Sequence, residues 1–146
     1  MAGTAGDDAN GGGSTGEAGG ARSGDEVLLT MPASPDLLRV ARLAAAGLAG
    51  RLGFNFDEIE DMKIAVDELC FALVGDHGAE GVLTLTFRLD RDRLEIEGIG
   101  RFDHERATTP PAPSELSALI LDAVVDEHEL SLVHGNPRFR LVKRRG

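Results

Sequence analysis

Hydrophobic and polar positions become regular only after residue 25, where the pattern predicts a strand followed by a helix. The apolar run over 27–31 predicts the strand, and Pro32 ends it because proline lacks the N–H that a ladder needs. Apolar residues then recur at helical spacing over 37–48. Ser34 offers an N-cap for this helix, which we expect to end near Gly53.

A second helix has a well-defined start signal. Asn55 can cap it, and Glu58 stands three residues later, as in a capping box. Apolar residues at helical spacing over 59–73 predict a long buried stripe that ends before Gly75. Eight acidic residues and one lysine lie over 57–80. We interpret most of these acids as a solvated face of the helix.

Two strands are expected to follow the second helix and to pair as a hairpin. Residues 82–87 and 94–97 alternate apolar and polar side chains, and residues 90–92 supply a polar turn between them. Gly98 and Gly100 interrupt the alternation. We therefore expect the second of these strands to end before the glycines.

One more helix and one more hairpin complete the pattern. Ser114 is the expected N-cap of a helix over 115–125. Five apolar residues are expected to form the buried face of this helix: Leu116, Leu119, Ile120, Ala123 and Val124. Residues 129–133 and 138–142 then predict two strands, which the turn residues 134–137 connect.

The predicted elements follow the order β-α-α-β-β-α-β-β. Runs of strands with helices gathered elsewhere indicate an α+β fold. We expect a two-layer sandwich in which a mostly antiparallel mixed sheet carries three helices on one face. Residues 25–146 would form this single domain. Residues 1–24 hold nine of the 19 glycines and no Val, Ile, Leu or aromatic residue, so we expect a disordered tail there.

The chain is acidic, with 25 acidic and 15 basic residues and a formal net charge of −10. This balance argues against general nucleic-acid binding, which needs clustered Lys and Arg. One basic cluster has two interpretations, a nucleic-acid contact or a strand that balances the acidic helix: Arg138, Arg140, Lys143, Arg144 and Arg145. The N-terminus lacks the features of a signal peptide, and no apolar run could span a bilayer. We therefore expect a soluble, cytoplasmic protein without membrane association.

Side chains with catalytic chemistry are few. The single cysteine, Cys70, excludes a disulfide framework, and its place on an apolar stripe favours an inert buried thiol over a nucleophile. The four histidines have no metal-ligand spacing and are interpreted as surface residues: His77, His104, His128 and His134. We predict no metal site from these residues. Taken alone, these features indicate only a small α+β domain.

Two motifs carry a resemblance to a known family. Residues 56–68 read Phe-Asp-Glu-Ile-Glu-Asp-Met-Lys-Ile-Ala-Val-Asp-Glu, and residues 97–100 read Glu-Gly-Ile-Gly. Together they resemble the anti-sigma-factor serine kinases of the RsbW type, which are small members of the GHKL ATPase superfamily. The order of elements is similar over nearly all of residues 26–145. The resemblance implies the GHKL ATPase fold and a role in transcription regulation, by sequestering an alternative sigma factor.

The resemblance also implies a nucleotide site, which can be compared position by position. Glu68 matches the family's general base. Four residues later the family has an Asn that ligates Mg²⁺, but this chain has Ala72, whose methyl group cannot ligate a metal. Gly98 and Gly100 match the glycines of the adenine-binding motif. The Asp of that motif, which accepts a hydrogen bond from adenine, is replaced by Ile96.

A further pair of family glycines lets bare backbone close around the phosphates, and Glu115 and Ser117 stand at these positions. Glu115 would place a negative charge where the phosphate oxygens of ATP should lie. These departures predict a kinase-dead relative that binds ATP poorly or not at all and uses no cofactor. The alternative is an active kinase that uses ATP and Mg²⁺ to phosphorylate a STAS-domain anti-anti-sigma factor.

The resemblance finally implies protein partners. In this family an Arg near the start of the first helix contacts the sigma factor and its antagonist, and Arg39 matches that position. The other interpretation of Arg39 is a solvated helix arginine. The family commonly dimerises through its first strand and helix, so residues 27–51 would form a homodimer interface. The expected partners are an alternative sigma factor, a STAS-domain antagonist and a second copy of the chain.

Overall fold

The computed structural model describes residues 24–75, 80–103 and 109–146. The helices and strands in these ranges follow the predicted order: β1 (Asp25–Pro32), α1 (Leu38–Arg51), α2 (Phe56–Val74), β2 (Gly81–Leu89), β3 (Arg93–Phe102), α3 (Glu115–Val124), β4 (Glu127–Val133) and β5 (Asn136–Arg144). A short 3-10 turn, Pro35–Leu37, precedes α1. The tail predicted over residues 1–24 lies outside the described residues except for Gly24, and so do His77 and His104.

The strands form one sheet in the order β1-β2-β3-β5-β4. Each neighbouring pair is antiparallel, so the described strands contain no parallel pair of the kind that a mixed sheet would have. Because successive side chains of a strand point to opposite faces, only alternate residues of β2 are buried, among them Leu85 and Phe87. These residues share one core with Ala45 of α1, Leu69 of α2 and Leu121 of α3. The predicted α+β sandwich is therefore confirmed.

Strand β3 is longer than the sequence predicts. The expected end was before Gly98, but pairing with β2 continues to Phe102, whose partner is Gly81. The glycines serve packing within the strand. A Cβ on Gly98 would lie 2.4 Å from Cε2 of Phe139, and one on Gly100 would lie 2.6 Å from Cε2 of Phe102. Glycine thus leaves room for two aromatic rings over a continuous strand.

The buried face predicted for α3 is wrong in part. Leu121 and Val124 are buried, but Leu116 and Leu119 are each 67% exposed, and Ala123 is exposed as well. The helix has apolar residues on almost every side, so helical periodicity does not define one buried face. Packing against α2 and β4 decides instead which side is covered.

Helix starts were predicted correctly in two of three cases. Asn55 and Glu58 form the capping box of α2, each side chain accepting a hydrogen bond of 2.8 Å from the other's backbone N–H. Ser114 caps α3 by accepting from the N–H of Ser117 at 3.1 Å. Ser34, in contrast, stands at the N-cap of the 3-10 turn that leads into α1, but its side chain makes no cap hydrogen bond.

The last hairpin is tighter than predicted. Val133 of β4 pairs directly with Asn136 of β5, which leaves a two-residue turn. His134 and Gly135 have φ of 54° and 79°, and positive φ at both residues is typical of a type I′ turn. This turn matches the twist of the two strands, so both strands extend further than the sequence pattern suggested.

Candidate functional site

A cleft of about 270 Å³ lies between α2 and the start of α3. Helix α2 contributes Glu68, Phe71 and Ala72, which the helical repeat places on neighbouring turns. The opposite wall comes from the chain before α3 and from its first turn: Ala112, Pro113, Ser114 and Ser117. The fold therefore brings three sequence-predicted positions, Glu68, Ala72 and Ser117, into one cleft.

A side-chain hydrogen bond crosses this cleft. The Ser117 hydroxyl donates to Oε1 of the Glu68 carboxylate, and the bond is partly buried. The backbone N–H of Ser117 is held by the cap residue Ser114, so the first turn of α3 fixes the position of Ser117. The carboxylate that the resemblance predicts to be a general base thus accepts a hydrogen bond from a hydroxyl group, at a position where the resemblance predicts a glycine.

Glu115 is not part of the cleft wall described above, but it occupies the first turn of α3 as an exposed carboxylate. The N-terminus of a helix attracts anions through its free N–H groups and its dipole. Here Ser114 uses one of these N–H groups, and Glu115 already supplies a negative charge. The side chains of this chain therefore occupy features that could otherwise hold a phosphate.

Ile96 is fully buried and cannot accept a hydrogen bond from adenine. Its neighbour Glu97 lies on the opposite face of β3, where Arg88 donates to it at 3.3 Å and Arg138 donates as well. Partial burial by itself raises the pKa of the Glu97 carboxyl, but hydrogen bonds and charge from the two arginines outweigh burial and hold this pKa below its ordinary value. Glu97 is an ion-pair partner on the outer face of the sheet.

Gly98 and Gly100 do not line the cleft between α2 and α3. Neither glycine has the positive φ of a glycine-dependent turn. Their backbone lies in β3, where the close approach of Phe139 and Phe102 explains the absence of side chains. A contact of these glycines with a nucleotide stays a prediction.

The side chains at these positions do not fit Mg-ATP held in the family's manner. Mg²⁺ requires oxygen ligands, and Ala72 offers a methyl group one turn after Glu68. Within the ranges that the structure describes, no group of three or more His, Cys, Asp and Glu side chains is placed to hold a metal ion. The chemistry of this cleft is therefore that of a small polar and apolar surface with one carboxylate.

Arg39 lies exposed in the first turn of α1 and makes no hydrogen bond or ion pair with another described residue. Arg42, nearly one turn later, behaves differently, because it donates to Asp67 of α2 at 3.0 Å. Asp67 thus links the two helices. Of these three side chains, only Arg39 has no hydrogen bond or ion pair with another residue in the described ranges.

The cysteine is buried in the core, and the two described histidines lie outside it. Cys70 is fully buried, and this burial, together with the charge of Asp67, raises the pKa of its thiol far above the ordinary range. The predicted burial of Cys70 is confirmed, and a thiol that stays protonated is a poor nucleophile. His128 lies 2.7 Å from the Asp122 carboxylate, and His134 lies exposed in the turn between β4 and β5.

The basic residues of β5 are paired with carboxylates. Arg138 pairs with Glu97 and Glu129, and Arg140 with Glu95 and Glu127. The partners of these arginines belong to the neighbouring strands β3 and β4 and not to the acidic helix. Two further members of the basic cluster also have carboxylate partners: Lys143 lies 3.6 Å from Asp61 of α2, and Arg144 lies 3.1 Å from Glu127 of β4.

Sequence reasoning missed the apolar part of the cleft. Phe71 is half exposed and lies three residues after Glu68, so helical spacing alone could have placed both on one side of α2. Ala112 and Pro113 carry no comparable signal, since they precede the cap of α3 in a stretch without periodicity.

Within the described residues, none of the helices has the length and apolarity needed to cross a bilayer.

Comparison with known proteins identifies similar sequences that share one name, serine-protein kinase RsbW. The chain is 31% identical over 123 residues to the serine-protein kinase RsbW of Halalkalibacterium halodurans, which covers 73% of this chain and 75% of that protein. It is 42% identical over 74 residues to the serine-protein kinase RsbW of Bacillus cereus strain B4264, a match that spans about half of each chain, 49% and 46%. No protein-family model matches the chain.

Solved structures include a similar fold. The crystal structure of the RsbU and RsbW domains of a Mycobacterium tuberculosis protein matches with a TM-score of 0.58 and 17% sequence identity, covering 83% of this chain and 32% of that one. At this identity the match supports the fold alone. The sequence identity to the Halalkalibacterium halodurans protein, over most of the length of both chains, shows that this chain belongs to the RsbW family of serine-protein kinases.

Proposed function

We propose that this chain is a regulatory binding protein that captures an alternative sigma factor, a STAS-domain anti-anti-sigma factor, or both, and that binds ATP weakly or not at all. One observation carries the proposal: the Ser117 hydroxyl donates a hydrogen bond to the Glu68 carboxylate across the cleft. A general base must accept a hydrogen bond, and then the proton, from the group that it activates, and one oxygen of this carboxylate already accepts a hydrogen bond from Ser117.

The other departures support the same conclusion independently. Ala72 provides no oxygen ligand for Mg²⁺, and Ile96 is buried without a polar atom in its side chain. Glu115 adds negative charge to the helix terminus that would face the phosphates. Each change removes a different contact to the nucleotide, so together they weaken ATP binding more than any one of them would.

The contact surface for protein partners is proposed to include Arg39. Its guanidinium is exposed and makes no ion pair with another described residue, so a partner carboxylate could bind it without breaking an ion pair within the described ranges. The net charge of −10 would also speed encounter with a basic sigma factor. Direct nucleic-acid binding is not part of the proposal, because Arg138 and Arg140 are paired with glutamates.

A homodimer through residues 27–51 belongs to the proposal as well. Strand β1 lies at the edge of the sheet, so its outer backbone groups have no partner strand in the described chain. Leu28 of β1 and Leu43 of α1 are both largely exposed. A second copy that paired with this edge would bind the outer backbone groups of β1.

The alternative function is an active serine kinase that phosphorylates a STAS-domain protein with ATP and Mg²⁺. The names of the curated relatives favour it, since they are serine-protein kinases, and Glu68 is retained. Under this alternative the Ser117–Glu68 hydrogen bond would have to open before each reaction. The two functions therefore differ in a measurable quantity, the affinity for ATP.

Isothermal titration of the full chain with ATP and Mg²⁺ separates the two functions. We expect no heat of binding at micromolar concentrations, while the Halalkalibacterium halodurans relative, titrated under the same conditions, serves as the positive control. A micromolar dissociation constant for this chain, about −8 kcal/mol, would contradict the proposal.

Capture of partners tests the binding function itself. The immobilised chain is expected to retain an alternative sigma factor equally well with and without ATP, and Arg39→Ala is expected to weaken that retention by about tenfold. Arg51→Ala, which removes an exposed arginine from the other end of α1, is the matched control. Failure to retain any sigma factor or STAS-domain protein would refute the binding function.

A further inference from the structure

Helix α3 leaves an apolar face without a partner in the described chain. Leu116 and Leu119 are each 67% exposed, and Ala123 is exposed on the next turn. Their spacing of three and four residues places them in one row along the helix. The opposite side of α3, with Leu121 and Val124, is the one that packs into the core. The exposed row is therefore additional to what folding requires.

Acidic residues border this row. Glu115 and Asp122 are exposed and lie seven residues apart, so they fall on one edge of the face. The sequence of α3 contains no Lys or Arg. The cleft between α2 and the start of α3 also combines an apolar side chain with a carboxylate, since the half-exposed ring of Phe71 and the Glu68 carboxylate both line it. The surface thus pairs apolar contact area with negative charge.

The charge decides which kind of molecule fits the face. A second copy of the chain would bring the same carboxylates against Glu115 and Asp122, and like charges in an interface oppose association. The segment over residues 1–23 contains no Val, Ile, Leu or aromatic residue, so it offers nothing to bury the leucines. A partner with apolar residues flanked by Lys and Arg satisfies both parts of the surface.

The geometry points to the α3 face, defined by Leu116, Leu119, Ala123, Glu115 and Asp122, as a docking surface for a cationic amphipathic helix of a partner protein. Such a helix would place apolar residues three and four positions apart against the two leucines. Its Lys or Arg side chains would reach the two carboxylates at the edge. The inference goes beyond the proposed function, because it uses neither the nucleotide cleft nor Arg39.

A synthetic peptide tests the surface without a known partner. The probe is an amphipathic peptide of about 18 leucine and lysine residues, long enough to form a helix. Backbone amide NMR of the ¹⁵N-labelled full chain during titration is expected to shift signals of residues 115–123. Shifts that cluster instead on the acidic residues of α2, or no saturable shift at all, would overturn the inference.

Variants assign the binding to this face. Leu116→Gln with Leu119→Gln is expected to weaken peptide binding at least about tenfold, and Glu115→Gln with Asp122→Asn by a smaller factor that shrinks as salt is added. Phe56→Gln is the matched control: it removes another apolar side chain, 74% exposed, beside acidic residues of α2, and should leave the affinity unchanged. Circular dichroism checks that every variant stays folded.

Two further measurements distinguish other occupants of the face. Sedimentation of the wild type and of the double leucine variant is expected to give the same oligomeric state, and a difference would identify the face as a contact between copies of the chain. Vesicles with anionic headgroups are expected not to bind the chain, since Glu115 and Asp122 repel them. Vesicle binding that the leucine variant abolishes would replace the protein partner with a membrane.

Discussion

At the scale of single residues, Gly98 has a role that its sequence motif does not reveal. The motif is similar to a nucleotide-binding turn, but the residue lies in a continuous strand with a phenylalanine ring close above it. Any Cβ there would lie within 2.4 Å of Phe139 Cε2 and within 2.9 Å of Leu85 Cδ2. Packing alone therefore requires glycine at this position, whatever its role toward a ligand.

We expect Gly98→Ala to lower the free energy of unfolding by about 1–3 kcal/mol, because the added methyl group forces the aromatic ring to move. Gly47→Ala is the matched control, since a Cβ at this exposed helix position meets no other atom within 4 Å. There the substitution should raise stability by about 0.5–1 kcal/mol. Urea denaturation measures both, and equal effects at the two glycines would contradict the packing role.

The site shows what the sequence can and cannot give at this scale. Residue types at positions 72, 96, 115 and 117 are sufficient to predict that several of the family's nucleotide contacts are missing. The hydrogen bond between Glu68 and Ser117 was not predictable, because it joins residues 49 positions apart whose approach depends on how α3 packs. The sequence gives the chemistry of each side chain, whereas the contact between Glu68 and Ser117 depends on the folded structure.

At the scale of elements, the capping residues allow a direct comparison. Asn55 and Ser34 are both residue types that favour a helix N-cap, but only Asn55 has a Glu three residues later, and only Asn55 makes a side-chain cap hydrogen bond. Asn55→Ala should therefore lower the free energy of unfolding by about 1 kcal/mol, and Ser34→Ala should change it by less than about 0.5 kcal/mol. Thermal unfolding of both variants measures the difference. Equal losses would show that the cap hydrogen bond of Asn55 is not the cause of the loss.

The sequence predicts the buried face of a helix well when its apolar residues lie on one side only, and poorly when they lie on nearly all sides. The apolar stripe of α2 repeats at helical spacing on one side only, and its predicted members are largely buried. Helix α3 has apolar residues on nearly all sides, so the pattern fixes that it is a helix but leaves its orientation to tertiary packing. The same ambiguity hid the exposed row with Leu116 and Leu119, which only the packed structure reveals.

At the scale of the whole molecule, the two faces of the sheet are stabilised by different forces. The helix side is apolar and buried, whereas the outer side carries a network in which arginines of β2, β3 and β5 alternate with glutamates of β1, β3 and β4. Exposed ion pairs of this kind contribute little one by one and weaken as salt is added. Their joint effect is to neutralise the arginines of an otherwise acidic chain.

The position of Glu97 in this network makes stability depend on pH. The folded chain holds the Glu97 pKa below the ordinary value of 4.5, since Arg138 and Arg88 outweigh partial burial. A carboxyl whose pKa is depressed on folding contributes stability above its unfolded pKa and loses that contribution as the pH falls through the folded value. The wild type should therefore lose stability progressively as the pH decreases below about 4.5.

Glu97→Gln tests this origin of acid sensitivity. The variant should be less stable than the wild type by about 1 kcal/mol at neutral pH, where it lacks the charged partner of two arginines. The difference should shrink as the pH falls below about 4.5, because the wild-type side chain then becomes neutral, like the glutamine.

Arg138→Gln removes the same ion pair by changing its other member, and this variant should also lose less stability than the wild type as the pH falls. Urea midpoints from pH 7 downward measure all three chains. If Glu97→Gln lost stability in acid as steeply as the wild type, carboxylates other than Glu97 would have to carry the pH dependence, such as Glu127, whose pKa Arg140 and Arg144 also lower.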